Sequence, residues 1–322
     1  MASARCIMVL GLVAGSLMAG PGWAKTPAEL GDIAWMRNFE QAKATAVRTG
    51  RPLLVLFDEV PGCQTCVRYG QAVLSHPLIV EAAETEFVPV AVYNNVPGPD
   101  REVLRRFGEP TWNNPVVRIV DAEFQALSPR VNGDYSQAGL LRAMTSALRK
   151  AGRSVPSYLA LLEEQVAGPK AATAHYSMYC FWSGEVCLGE LPGVRSTRAG
   201  FAEGKEVVEV HYDPTQVTRA RLDATAKACG APLATHSFRG SAKDDKYQLK
   251  HSPLKAVPMT RLQSTRVNAR LGKRQDPLAL LSARQRELYA AALRRKLSLD
   301  LTQERDLRVA FRLARSALLS DR

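Results

Sequence analysis

The stretch Val60-Pro61-Gly62-Cys63-Gln64-Thr65-Cys66 constrains this chain more than any other. An apolar run over 53–57 (Leu-Leu-Val-Leu-Phe) precedes it, and a segment with helical spacing (Val67, Ala72, Val73, Leu74) follows it. Such a run bounded by turn residues reads as a buried strand, so the order is strand, tight Pro-Gly loop, then two cysteines opening a helix. At the first helical turn Cys63 faces unpaired backbone N–H groups and the positive end of the helix dipole, which favour thiolate over thiol. Cys66, three residues on, shares its helix face and is placed to close a disulfide with it. A zinc half-site would need a second Cys/His pair at ligand spacing. None follows, so the pair reads as redox-active, and the sequence calls for neither metal nor cofactor.

A length of 322 residues accommodates two ordinary domains. The net charge of +12 raises the question of acidic partners. Much of the surplus is arginine in the C-terminal third, without aromatic interleaving or a nucleic-acid motif, so nucleic acid is not expected as a partner. Arg5, the apolar segment 7–18 and the small-x-small triplet Gly22-Trp23-Ala24 read as an export signal over 1–24, cleaved before Lys25. The apolar core is too short to span a membrane comfortably, and an uncleaved anchor is the alternative. The expected location is therefore outside the cytoplasm, periplasmic in a bacterium. Removing Cys6 with the signal leaves five cysteines, Cys63, Cys66, Cys180, Cys187 and Cys229, and an odd number in an exported chain points to a reactive thiol.

Helical spacing over 34–49 ends at Gly50, and His76-Pro77 breaks the cysteine-bearing helix ahead of another over 78–86. A second strand reads over 87–93, with Pro89 predicting irregular pairing. A helix over 101–107, a strand entered through Pro115, the short run 124–127 and a helix over 136–150 complete the domain, taken as 25–155. This order resembles thioredoxin over 26–155. More narrowly, Val60-Pro61-Gly62-Cys63 resembles the thioredoxin-like proteins marked by Val-Pro-Gly followed by selenocysteine. Cys63 stands at the selenocysteine position, and Cys66 stands where that motif has threonine. The Trp-Cys-Gly-Pro-Cys of ordinary thioredoxin is absent. The resemblance implies a cis-proline facing the cysteine pair and offering backbone to substrate, with Pro115 as the candidate.

Turn residues at 152–156 and 168–169 bracket a short helix at the domain junction. Beyond it, alternation over 174–178 leads into Tyr179-Cys180-Phe181-Trp182-Ser183-Gly184-Glu185, which puts Cys180 at a strand-to-helix turn where a thiol is activated. Two further blocks follow, Leu191-Pro192-Gly193-Val194 with the small-residue strand to Phe201, and Glu206 through Tyr212-Asp213-Pro214. Read on their own, Phe181 and Trp182 fit a core, Glu206 a strand surface, Cys187 the interior of a helix and Cys229 a helix end.

Together the blocks resemble peptide methionine sulfoxide reductase A over 172–229, with a weaker echo at 281–285. The resemblance implies an α+β domain with a ferredoxin-like core, taken as 166–255. It implies that Cys180 attacks the sulfoxide sulfur, that Phe181 and Trp182 enclose the substrate methyl group, and that Glu206 protonates the sulfoxide oxygen. Cys180 then becomes a sulfenic acid, which a second thiol, Cys187 or Cys229, converts to a disulfide. The sequence departs from the family pattern in places. Gly204-Lys205 replaces a long connection that carries an oxygen-binding tyrosine, and Tyr179 and Ser183 replace glycines. The family's later Asp and Gln-Tyr-Arg positions match either Tyr247 behind Asp244-Asp245 or 263–266.

In the region 256–322, helical spacing recurs over 277–296 (Leu288, Ala291, Ala292) and 298–319 (Leu307, Phe311, Ala314, Leu318), with arginines on the polar face. These helices are expected to pack on the second domain, and contact with a membrane surface is the alternative. The reading is an exported two-module protein in which a thioredoxin-like module feeds electrons to a sulfoxide reductase module. Its expected partners are oxidised proteins or peptides carrying methionine sulfoxide and a thiol reductant. A general thiol–disulfide oxidoreductase with an inactive second domain and a non-enzymatic interaction protein are the competing readings.

Overall fold

The computed structural model describes residues 26–112, 115–168, 171–295 and 299–319. The export signal at 1–24 lies outside the described residues. The first domain is built on β1 (Leu53–Asp58), β2 (Val88–Tyr93) and β3 (Val116–Val120), in the order β2-β1-β3. β1 runs parallel to β2 and antiparallel to β3. All six residues of β1 are buried, because helices cover both faces of the sheet. Leu53, Val55 and Phe57 face one core with α1 (Phe39–Thr49) and α4 (Pro99–Phe107). Leu54 and Leu56 face the other with α2 (Gln64–Ala72), α3 (Pro77–Glu86), α5 (Gln137–Lys150) and α6 (Ser157–Val166). Pairing stays in register through Pro89, which is opposite Leu54, contrary to the irregularity expected there. The Pro89 carbonyl accepts from the Met36 N–H at 2.9 Å. A strand residue points its N and O to the same side, so the missing N–H lies away from β1 and breaks no bond of that ladder.

The second domain is a mixed α/β unit around an antiparallel sheet ordered β7-β4-β6-β5-β8. Its elements are β4 (Ala172–Met178), α7 (Phe181–Leu188), β5 (Val194–Ala202), β6 (Lys205–Tyr212), α8 (Arg219–Ala226), β7 (Gly230–Leu233), β8 (Arg239–Gly240), α9 (Tyr247–Lys250) and α10 (Arg261–Gly272). Strand alternation sends Ala174, Tyr176, Met178, Val208 and Val210 into one core with Phe181 and Leu188 of α7 and Leu222 of α8.

The two C-terminal helices, α11 (Ala283–Arg295) and α12 (Leu307–Leu319), pack differently from the expectation. Leu288, Ala291, Phe311, Ala314 and Leu318 join the first domain's core beside Leu78, Ile79 and Ala82 of α3. Charge steers this choice. α3 carries Glu81 and Glu84, which accept the Arg284 backbone N–H and guanidinium, and Arg308 reaches Asp32 at 3.3 Å. α11 also touches the short 3-10 turn Pro253–Ala256, so it bridges both domains. Among the described residues no helix is long and apolar enough to cross a membrane.

Candidate functional site

Cys63 is the N-cap residue of α2, in extended backbone conformation, and is exposed, whereas Cys66 one turn later is fully buried. Their sulfurs stand 3.1 Å apart and are not joined in a disulfide. The Cys66 N–H first, then the Cys66 thiol and the N–H and hydroxyl of Thr65, hold the Cys63 thiol below its ordinary range. Burial pushes Cys66 far up, reinforced by Cys63 and by Asp58. The pair therefore splits into an acidic, accessible sulfur and a protonated, enclosed one.

Asp58 ends β1 with no exposed surface and hydrogen-bonds the Cys66 thiol. Burial raises its carboxyl to about 7, against the pull of Cys66 and of the Glu59 N–H, which donates to Oδ1 at 3.0 Å. The loop before the pair is held from outside. Asn95 brackets Val60 with bonds to its N–H and carbonyl, both 3.3 Å, and Glu29 accepts the Gly62 N–H at 2.7 Å. A Cβ at Gly62 would strike the Glu59 carbonyl and lie 2.9 Å from the Cys66 Cβ, so only glycine allows this approach. The Val60–Pro61 bond is cis. Pro115 is buried immediately ahead of β3, and the Asn114–Pro115 bond proposed as cis lies outside the described residues.

In the second domain Cys180 is the half-buried N-cap of α7 and a free thiol. The Glu206 carboxylate accepts the Phe181 N–H at 2.8 Å, which places it at the helix N-terminus beside the cysteine. Phe181 is buried and meets the half-exposed Phe201 edge-on at 5.4 Å. Trp182 stacks on Tyr247 at 3.8 Å and 19°, and Tyr247 continues to His251 at 4.0 Å. Of the two segments matched to the family's later positions, Tyr247 is thus the one that reaches Trp182. Gln263 and Arg266 are buried in structural bonds to Gln285, Leu280, Gly189 and Glu164. Cys187 and Cys229 are bonded to each other with Cα atoms 6.6 Å apart, tying the end of α7 to the turn after α8.

Sequence reasoning missed Asp58, although an acid closing a wholly apolar strand just before the cysteine loop was a usable signal. It also missed Glu185 and Lys246, a buried pair joined at 2.8 Å behind α7, which no local pattern announces. Burial opposes the Lys246 charge, but Glu185 and Asp245 outweigh it and raise its pKa. Among the described residues no group of three or more His, Cys, Asp and Glu is arranged to hold a metal ion.

Residues 34–122 match the family model described as thioredoxin-like. The first domain is thioredoxin-like. The chain is 35% identical over 88 residues to the peptide methionine sulfoxide reductase MsrA of Corynebacterium diphtheriae, a match covering 22% of this chain and 39% of that protein. The chain thus spans well under half the length of this distant, partial homologue. Among solved structures, a DsbH oxidoreductase is 19% identical with a TM-score of 0.32, covering 41% of this chain and 95% of that one. A thioredoxin from Thermus thermophilus is 25% identical with a TM-score of 0.33, covering 37% and 90%.

Proposed function

We propose that the chain reduces methionine sulfoxide in oxidised proteins or peptides at Cys180, with electrons supplied through Cys63 and Cys66. The observation that carries this reading is the placing of the Glu206 carboxylate at the Phe181 N–H, beside a free cysteine and the Phe181/Trp182 rings. The Cys180 sulfur attacks the sulfoxide sulfur while a proton from Glu206 meets the developing oxyanion. The oxygen then passes to the cysteine sulfur as the transient S–S bond and the sulfoxide S–O bond break, leaving methionine and a sulfenic acid. A thiol then condenses with the sulfenic acid, water leaves, and a disulfide forms. Cys187 and Cys229 are bonded to each other here, so that thiol comes from their reduced form or from Cys63.

The thioredoxin-like domain closes the cycle by exchange. The Cys63 thiolate attacks the disulfide and forms a mixed disulfide. Cys66, giving its proton to Asp58, then attacks the Cys63 sulfur of that mixed disulfide, expels the second thiolate and leaves Cys63–Cys66 oxidised for an external thiol reductant. Linking both modules in one chain raises their effective concentration for each other. The narrower kinship with Val-Pro-Gly-selenocysteine proteins rests on Val60-Pro61-Gly62-Cys63 alone. Export through residues 1–24 belongs to the same reading and predicts a mature N-terminus at Lys25, which N-terminal sequencing of protein from the cell envelope checks.

The deciding experiment is turnover of a methionine-sulfoxide peptide with a small dithiol, in the wild type and in Cys180→Ser. Turnover lost in the variant supports the reading. No turnover in the wild type leaves a general thiol–disulfide oxidoreductase, which the self-sufficient Cys63/Cys66/Asp58 arrangement favours as the second reading.

A further inference from the structure

Behind the Cys180 helix lies a buried ionic contact with no part in the chemistry above. Glu185 of α7, with no exposed surface, accepts from the Lys246 backbone N–H and from Lys246 Nζ, both at 2.8 Å, and from the Thr197 hydroxyl at 3.0 Å. Lys246 Nζ donates further to Asp245 Oδ1 at 2.9 Å and to the Thr197 carbonyl. One lysine therefore grips one carboxylate with its backbone and its side chain together. Its φ of 56° and ψ of 47° lie in the left-handed region, which a residue with a Cβ enters only when its surroundings impose it.

The next residue, Tyr247, lies on the Trp182 ring, and Trp182 is three positions before Glu185 on the same helix. Helix residues at that spacing are neighbours. The charge pair and the ring stack are thus two successive contacts between the same segments, α7 and 245–247. An apolar pair of equal volume would serve packing as well or better, because the desolvation of a buried ion pair offsets its attraction. It would not, however, hold the backbone N–H of residue 246 and so fix where residue 247 points.

We propose that Glu185 and Lys246 are positioning residues for the aromatic wall of the Cys180 site, holding Tyr247 on Trp182 and thereby fixing the indole beside the thiol. This rests on the sulfoxide-reductase reading only in taking that wall as the substrate's. The test is the double variant Glu185→Leu/Lys246→Met in the full chain, which fills the space without unpaired charge. The near-ultraviolet circular dichroism of the stack is read as the difference between each protein and its Trp182→Phe counterpart. The variant should fold, lose that signal, and show a KM for a methionine-sulfoxide peptide raised about tenfold with kcat within about twofold, a loss of binding rather than of chemistry. Lys246→Arg, which keeps charge and donors, should restore most of the signal. A folded double variant with the stack and KM unchanged overturns the proposal. If the double variant does not fold, Glu185→Gln decides by the same two readouts. If the wild type turns over no sulfoxide, the reading of the site fails, and the dichroism alone still decides the role of the pair.

Discussion

The carboxylate of Glu206 and the backbone N–H of Phe181 are joined at 2.8 Å, across the first turn of α7. Glu206 is the second residue of β6, which follows the tight turn at Gly204, so the short connection aims the acid at a helix N-terminus. Two things follow physically. The carboxyl oxygen satisfies a backbone donor that has no partner within the helix, and the same group is the acid proposed for the sulfoxide oxygen.

These two roles separate on substitution. Glu206→Gln retains an oxygen that accepts from Phe181 and loses the transferable proton. Sulfoxide turnover should fall about 10²-fold or more while stability changes little. Glu206→Ala should lose turnover and also about 1 kcal/mol of stability with the cap. Steady-state kinetics beside urea unfolding check both. A Gln variant with full turnover would remove Glu206 from acid chemistry.

In the first domain, the split between an acidic Cys63 and an enclosed Cys66 predicts a strict order of alkylation. Limiting iodoacetamide near neutral pH should label Cys63 before Cys66, with an inflection in rate below the ordinary cysteine range. Mass mapping of the peptides reads the order, and prior labelling of Cys66 would reverse the roles assigned here.

Asp58 gives a pH signature of defined sign. Its carboxyl is raised from 3.8 to about 7, so the folded state holds the proton more tightly than the unfolded chain. The stability it contributes is fully present below about pH 4 and is lost as pH rises through about 7, at most about 4 kcal/mol. Asp58→Asn removes that loss. The variant should be more stable than the wild type at pH 8 and show no such gain at pH 4, by urea unfolding of reduced protein. It should also slow disulfide exchange, since Asn accepts no proton from Cys66. An equal stability difference at both pH values would argue against a buried, protonated Asp58.

Much of this was legible in local sequence and some of it was not. Five consecutive apolar residues followed by a Pro-Gly loop and two cysteines fixed β1, α2 and the thiol pair, because all the determinants are neighbours. The spacing of Leu288, Ala291, Phe311 and Leu318 announced buried helix faces, yet periodicity says that a face is covered and not by what. Glu81 and Glu84 settle that, and they lie some two hundred positions earlier. Lys246 was illegible for the same reason, since its partner Glu185 is distant in sequence. Cys187 and Cys229 were each visible as candidates for reaction with Cys180, but their pairing with each other depends on the approach of α7 to the end of α8.

That bond closes a loop across a sequence separation of 42, for which constraint of the unfolded chain predicts about 4 kcal/mol. Cys187→Ser/Cys229→Ser should be destabilised by about 2–4 kcal/mol in urea relative to oxidised wild type, and dithiothreitol should bring the wild type to the same value. Equal stability of the two oxidised proteins would show that the bond restrains nothing.

The packing of α12 on α3 has a consequence for how the molecule is made. A ribosome delivers α3 long before it delivers the helices that cover it. The apolar face of Leu78, Ile79 and Ala82 therefore waits, through synthesis of the whole second domain, for Phe311 and Leu318 to emerge. The module bearing Cys63 begins before the second domain and finishes after it. A chain that stalls before α12 yields a dithiol domain with an open flank, so a translation error there is exposed in a part made much earlier.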